Sequence, residues 1–252
     1  MPQILVTNDD GVEADGLLAL ATVLTTLGDV TVVAPAQESS AVSHALTVRR
    51  PLQLREVRRA WYSLDGTPTD CVNVAMTEVL GRVPDLVVSG INNGLNVGDD
   101  VTYSGTVAGA LEGTLLGAPA LAVSLQRSSE PMDYAPAAAV ALQLAASVLD
   151  QGLPRRTLLN INVPRGPHRG VRATTQAIRT QTIGQQQSDV ADGQSTVWIG
   201  AAELEWDLDE RSDYQAVQAG WVSVTPLQPD WTNHAVLGAV EALTVTTPAE
   251  VE

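Results

Sequence analysis

Strand signals alternate with helix signals over the first ~150 residues, and that alternation predicts an α/β fold. The remaining third loses helical periodicity and predicts a β-rich extension. Two adjacent aspartates, Asp9 and Asp10, stand where the first apolar strand ends, which points to a site at the carboxyl edge of a parallel sheet. With 252 residues, 44% hydrophobic and 17% charged, the chain can bury a sizeable core.

The elements follow in order. Ile4 to Val6 form a short apolar run, a buried-strand signal. Leu17, Leu18, Leu20, Ala21, Leu24 and Leu27 keep helical spacing, with Gly28 as a stop. "DVTVVAP" predicts a second strand closed by Pro35. "TPTDCVNVAMTEVLG" predicts a helix capped by Thr67, with Pro68 first in the helix and Asp70 three residues after the cap. "PDLVVSG" reads as a strand, "YSGTVAGALEGTLLG" as a helix, "PALAVSL" as a strand and "APAAAVALQLAASVLD" as a helix. Right-handed βαβ units follow, and with them a Rossmann-like, mostly parallel sheet with helices on both faces. "LLNINVP" supplies one more core strand. From about Gly170 to Pro226 the chain is rich in Thr, Gln, Val and Trp and predicts β-hairpins and loops. "GWVSVTPL" is a returning strand and "HAVLGAVEALTV" a short helix. The expected division is a catalytic core over 1–165 and an extension over 166–252.

The formal net charge is -15, and all 14 basic residues are arginine. That balance disfavours a nucleic-acid polymer or an anionic membrane as partner. A small anion stays allowed, because a bound metal reverses the local sign. One cysteine, Cys71, precludes an internal disulfide framework and suits a reducing cytosol. The first residues read as a strand with no basic-then-apolar leader, and no apolar run is long enough to span a bilayer. The expected location is the cytoplasm.

Side chains alternate along a strand, so Asp9 and Asp10 converge only beyond it, where Gly11 supplies a turn. Two carboxylates together repel unless a proton or cation intervenes, and a hard dication such as Mg²⁺ or Mn²⁺ prefers oxygen ligands. On the pair alone, a capping aspartate with a solvated neighbour explains the residues equally well. Other strand ends add weight. "AQESSAVSHALT" offers hydroxyls, and "INNGLNVGDDVTYSGT" is dense in Gly and Asn. Tyr103, Ser104, Gly105 and Thr106 then open a helix whose N–H groups can hold an anion. A dication beside a phosphate-sized anion site suggests phosphate-ester chemistry.

"ILVTNDDG", "VVAPAQESSAVSHALT", "GTPTDC", "VVSGINNGLNVGDDVTYSGTVAGALEG" and "PALAVS" resemble the survival protein E (SurE) family in matching order, as do "LNINVP" and "SDYQAVQAGWVSVTPLQPDWT". The resemblance implies a metal-dependent phosphatase of nucleoside 5′-monophosphates, in some members also of short-chain polyphosphate. It implies an α/β core and a β-rich extension used for dimer or tetramer formation. Carried over by motif, it implies one divalent cation per subunit held by Asp9, Asp10, Ser40 and Asn92. Ser40 is preferred to Ser39 because it lies five residues after the motif's proline. Asn96, Ser104, Gly105 and Thr106 match the phosphate side, and Asp9 or Asp10 acts on the attacking water. The chain departs from the family at Ala36 and Gln37, where an Asp and a basic residue are usual, and at Ala41, where Gly is commoner.

Other residues carry blander expectations. His44 reads as a surface residue more readily than as a proton donor, and His234 as structural. Asp99 and Asp100 read as a solvated loop in preference to a role supporting the metal ligands. Trp198, Trp206 and Trp221 suit an aromatic subunit interface. A receiver-like regulatory protein would need an acceptor Asp after the third strand, where "DLVVSG" has Ser89 and Gly90. A noncatalytic nucleotide-binding protein is the other alternative, and the presence of all four implied ligands argues against it.

Overall fold

The computed structural model describes residues 1–180, 186–191, 194–199 and 205–243. Its elements are β1 (Gln3–Thr7), α1 (Asp15–Leu24), β2 (Asp29–Pro35), β3 (Leu54–Arg58), β4 (Trp61–Leu64), α2 (Pro68–Val74), β5 (Leu86–Asn93), α3 (Gly105–Leu115), β6 (Ala120–Leu125) and α4 (Ala135–Gln151). Then come β7 (Leu158–Val163), β8 (Val171–Ala173), β9 (Gln186–Ala191), β10 (Gln194–Ile199), α5 (Asp213–Gln218), β11 (Val222–Leu227) and α6 (Leu237–Glu241).

Nine strands form one sheet in the order β3-β4-β2-β1-β5-β6-β7-β11-β8. Pairing is parallel from β4 through to β7 and antiparallel at β3–β4 and β7–β11. The direction of winding reverses at β1, with β2 on one side and β5 on the other. In open α/β sheets the ligand crevice forms at such a switch point, outside the carboxyl ends of the strands. Thr7 pairs with Ser89 across β1 and β5, so Asn8 to Asp10 leave the sheet beside the last part of β5, where Asn92 and Asn93 stay paired with β6.

Alternation along the strands sorts the core into two layers. Ile4 and Val6, Leu86 and Val88, and Leu121 and Val123 pack with α1 and α4. Leu5, Val87, Ala120 and Ala122 pack with α2 and α3 on the opposite face. The expected covering of both faces is therefore present. The Thr67–Asp70 capping box opens α2 as expected, with both reciprocal hydrogen bonds formed. Past Val74 the helix widens into a π-helical turn, Ala75–Val79.

Past residue 165, the expected returning strand is β11, which joins the main sheet between β7 and β8. The region also contains an unexpected helix, α5, capped by the Ser212 hydroxyl, which accepts from the Gln215 amide at 3.3 Å. Only β9 and β10 form a separate antiparallel pair among the described residues. The extension also grips the loop that follows β5. Buried Asp213 accepts from the amides of Gly98, Ala177 and Tyr214 at 2.9, 2.9 and 2.8 Å. Trp206 stacks on Tyr214 with ring centroids 5.3 Å apart, so it packs within the chain. Asp99 and Asp100 are not a merely solvated pair, because Arg179 of the extension ion-pairs with Asp100 and donates its amide to Asp99 Oδ2 at 3.3 Å. Segments 181–185, 192–193, 200–204 and 244–252 lie outside the described residues; of the expected tail helix, α6 covers Leu237–Glu241 and the residues past Leu243 are not described.

Candidate active site

The turn after β1 is closed by its own residues. Asn8 Nδ2 donates to the Gly11 carbonyl at 2.9 Å, and the Gly11 amide donates to Asn8 Oδ1 at 3.3 Å. Gly11 has φ +106°, a conformation that L side chains rarely adopt, so the expected turn residue is required there. This turn sends Asp9 toward α3. The Thr106 hydroxyl donates to Asp9 Oδ1 at 2.5 Å. A Cβ at Gly105 would stand 2.8 Å from Asp9 Cβ and 2.9 Å from its Oδ2, so glycine is what lets the helix N-terminus reach the carboxylate.

Asp9 is 5% exposed. Burial pushes its carboxyl up to about 6, opposed by the Thr106 hydrogen bond and reinforced by Asp10. Asp10 is half-buried and is also raised, first by burial; the Asn93 amide and Arg127 pull it down and Glu38 pushes it up. Among the described residues, no basic side chain forms an ion pair with either carboxylate. Burial, Asp10 and Asp15 all raise the Tyr134 phenol, which places that ring beside the same acidic edge.

Two loops complete the rim. The Ser39 amide donates to the Asp9 carbonyl at 2.8 Å, which lays the "QESS" loop over the pair. Ser40 is exposed and its hydroxyl donates to Glu38 Oε1 at 2.6 Å. Ala41, which follows Ser40, holds φ +54°. At the end of β5, Asn92 Nδ2 donates to the Gly94 carbonyl at 2.8 Å, which leaves Oδ1 as its available oxygen. The site thus offers two buried or half-buried carboxylates and neutral oxygens, with no cluster of three or more His, Cys, Asp or Glu among the described residues. That donor set fits a hard, oxygen-loving dication and not a nitrogen- or sulfur-seeking one.

The phosphate-side residues divide. Ser104 caps α3, accepting from the Val107 amide at 3.1 Å, and its own hydroxyl proton has no acceptor among the described residues. The Thr106 proton is spent on Asp9. The first-turn amides of Gly105 and Thr106 have no intrahelical acceptor, as in any helix start. Asn96 is elsewhere: its Nδ2 donates to Ser124 Oγ at 2.8 Å and its amide to Asn162 Oδ1 at 2.8 Å. Its carbonyl accepts from Asn160 and Asn162 at 2.8 and 3.0 Å, so Asn96 pegs the glycine-rich loop to β6 and β7.

The family model described as "Survival protein SurE" matches residues 4–183. The chain belongs to the survival protein SurE family. The 5′-nucleotidase SurE of Geotalea daltonii is 49% identical, covering 92% of this chain and 95% of its own length. That of Syntrophotalea carbinolica is 50% identical, covering 91% and 92%. The crystal structure of SurE from Aquifex aeolicus has a TM-score of 0.85 at 40% identity, covering 96% of this chain and 99% of its own.

In this SurE chain, Asp9, Thr106 and Gly105 are in direct contact, and the backbone of the Ser39–Ser40 loop is bound to Asp9. Glu38, Asn93 and Arg127 influence Asp10 and were not among the expected site residues. Glu38 adjoins the two serines and was available to sequence reasoning as a third acid in the loop. Arg127 lies just past β6 in no motif, and only the sheet order brings it near. His44 bonds Glu112 on α3 at 2.8 Å and does not contact Asp9 or Asp10. No helix among the described residues is long and apolar enough to cross a membrane.

Proposed function

We propose that this chain is a 5′-nucleotidase that needs one divalent cation, Mg²⁺ or Mn²⁺, and hydrolyses nucleoside 5′-monophosphates to nucleoside and phosphate. The observation that carries the reading is the Asp9–Asp10 pair: no basic side chain among the described residues forms an ion pair with either carboxylate, Arg127 only partly offsets the charge of Asp10, and Asp9 abuts the N-terminus of α3. Relatives sharing about half of its residues bear the name 5′-nucleotidase.

Asp9, Asp10, Asn92 Oδ1 and the Ser40 hydroxyl would hold the cation. When bound, it supplies positive charge against a phosphoryl oxygen and acidifies water. The rest falls to the chain. The free amides at the start of α3 and the Ser104 hydroxyl bind the remaining phosphate oxygens. Thr106 and Gly105 lock the Asp9 carboxylate in one orientation. Asp10 is the more exposed carboxylate and the one water reaches, so it orients the attacking water. Phosphate release from a panel of nucleotides and short polyphosphate, with Mg²⁺, Mn²⁺ or EDTA, tests the reading. Full activity in metal-stripped, EDTA-treated protein overturns it.

The same proposal makes the region after residue 165 an assembly element giving a homodimer or homotetramer. An isolated antiparallel pair of strands such as β9–β10 is marginal in water, so a partner surface is expected to cover it. A monomeric mass by light scattering at micromolar concentration would refute this part. We place the protein in the cytoplasm, in keeping with a single buried thiol that burial holds well above its ordinary range. Recovery of the native protein in a membrane or secreted fraction would overturn that placement.

A further inference from the structure

A cavity of about 330 Å³ lies along α3, outside the metal-side crevice. Ser104, Val107 and Leu111 of α3 line it together with His44, Leu227 and Trp231. Its size falls in the range of small-molecule sites, which combine apolar walls with a few fixed polar groups. Two features join it to the acidic site. Ser104, at its mouth, caps the helix whose first residue touches Asp9. The loop that covers Asp9 through the Ser39 amide runs on to Ser43, whose amide donates to the Tyr103 carbonyl at 3.1 Å, and to His44. From Gly105 to Glu112 the helix advances about 10 Å, a span that one nucleoside can bridge.

The polar end is built. Glu112 is 5% exposed and accepts from Asn73 Nδ2 at 3.0 Å. It holds His44 Nε2 at 2.8 Å, which fixes the imidazole ring at the cavity wall. His44 Nδ1 has no protein partner among the described residues. A fixed ring with one nitrogen unbonded by the described residues, in a cavity that the exposed indole of Trp231 also lines, suits a flat heteroaromatic group with polar edges. Nothing in the phosphatase chemistry uses this dyad.

We propose that this cavity receives the nucleoside of the substrate, with the base between His44 and Trp231 and the 5′-phosphate at the Ser104 end. The proposal rests on the nucleotidase reading, and it makes His44, Leu111 and Trp231 residues of nucleotide recognition. Glu112 is a positioning residue that acts through His44.

The test compares AMP with ribose 5-phosphate, which has the same phosphate and sugar and no base. In Leu111→Trp, which fills the cavity, the ratio of their kcat/KM values should fall at least about tenfold, mainly through KM for AMP. His44→Ala, a milder change for folding, should lower the same ratio severalfold. Adenosine binding, followed by titration calorimetry, should be weakened in both variants. Equal losses on both esters, or an unchanged ratio in both variants, would overturn the proposal. If the unmodified protein cleaves neither ester, the phosphatase reading fails; adenosine binding that is absent, or is unaffected by the two substitutions, would then reject the cavity as well.

Discussion

Two pairs of adjacent aspartates lie on loops beyond strand ends of the same sheet, and they have opposite fates. Asp99 and Asp100 meet Arg179, whose guanidinium also lies 5.4 Å from the Trp206 ring. Burial raises the Asp100 carboxyl and the arginine opposes that rise, so a cation of the chain itself answers the charge. Asp9 and Asp10 meet a hydroxyl, amides and a further acid, Glu38, but no ion-pairing side chain among the described residues. Adjacency of two carboxylates therefore carries little information. What faces them decides whether they become a clamp between segments or a seat for a cation from solution.

The largest expected effect separates the pairs by activity. Asp9→Asn and Asp10→Asn should each lower phosphate release by about a thousandfold or more, because each removes charge from a site that must hold a dication. Asp100→Asn should stay within about tenfold of the unmodified protein, because its charge is answered by Arg179. Comparable losses at all three positions would abolish the distinction.

Stability sharpens the contrast. Asp9 has an ordinary value of 3.8 and a folded value of about 6. The folded chain therefore holds the Asp9 proton more tightly than the unfolded chain does. The cost of the charged carboxylate enters as pH rises from 3.8 through about 6 and is complete above that window. Asp9→Asn should thus stabilise the metal-free protein by roughly 2 kcal/mol at neutral pH, with the gain shrinking toward zero near pH 4. Urea unfolding in EDTA across that range is the measurement. Added Mn²⁺ should reverse the order, since only the unmodified site gains from binding. A variant that is less stable than its parent throughout the pH range would show that Asp9 is not strained by burial.

Much of this was legible because the residues involved are contiguous. Ile4 to Val6, buried on both faces, mark β1 without ambiguity, and Asp9, Asp10 and Gly11 follow at once. Ser104, Gly105 and Thr106 sit at a helix start that Ser104 itself announces as a cap. Thr67 and Asp70 did the same for α2. The strand β3 left no apolar signature, since all five of its residues are exposed. The six residues of α5 are too few for helical periodicity to register, although Ser212 was a readable cap. Asn96 looked like a phosphate ligand by motif. Its partners Ser124, Asn160 and Asn162 arrive from two later strands, and only the strand order reveals that its Nδ2 and its backbone are held there.

The smallest expected effect concerns the clamp. Arg179 and Asp100 have side chains 17% and 31% exposed, so solvent screens the pair only in part. Partly buried pairs of this kind are worth more than surface ones but still pay for desolvation, and the Asp100 carboxyl is raised in spite of its arginine. A double-mutant cycle with Asp100→Asn and Arg179→Met should therefore give a coupling of only about 1 kcal/mol, falling in high salt. Each single variant leaves one group unanswered, so each should destabilise more than the coupling alone implies. The loop offers a second readout. Gly98 and Asp99 lie between Asn96 and Asp100, and the extension holds this stretch through Asp213 and Arg179 together. If the clamp also steadies the loop that bears Asn92 and Asn96, Arg179→Met should raise KM for nucleotide by a few-fold while leaving kcat nearly intact. An unchanged KM with the same coupling would confine Arg179 to holding the extension in place, and the two aspartate pairs would then be independent in function as well as in charge.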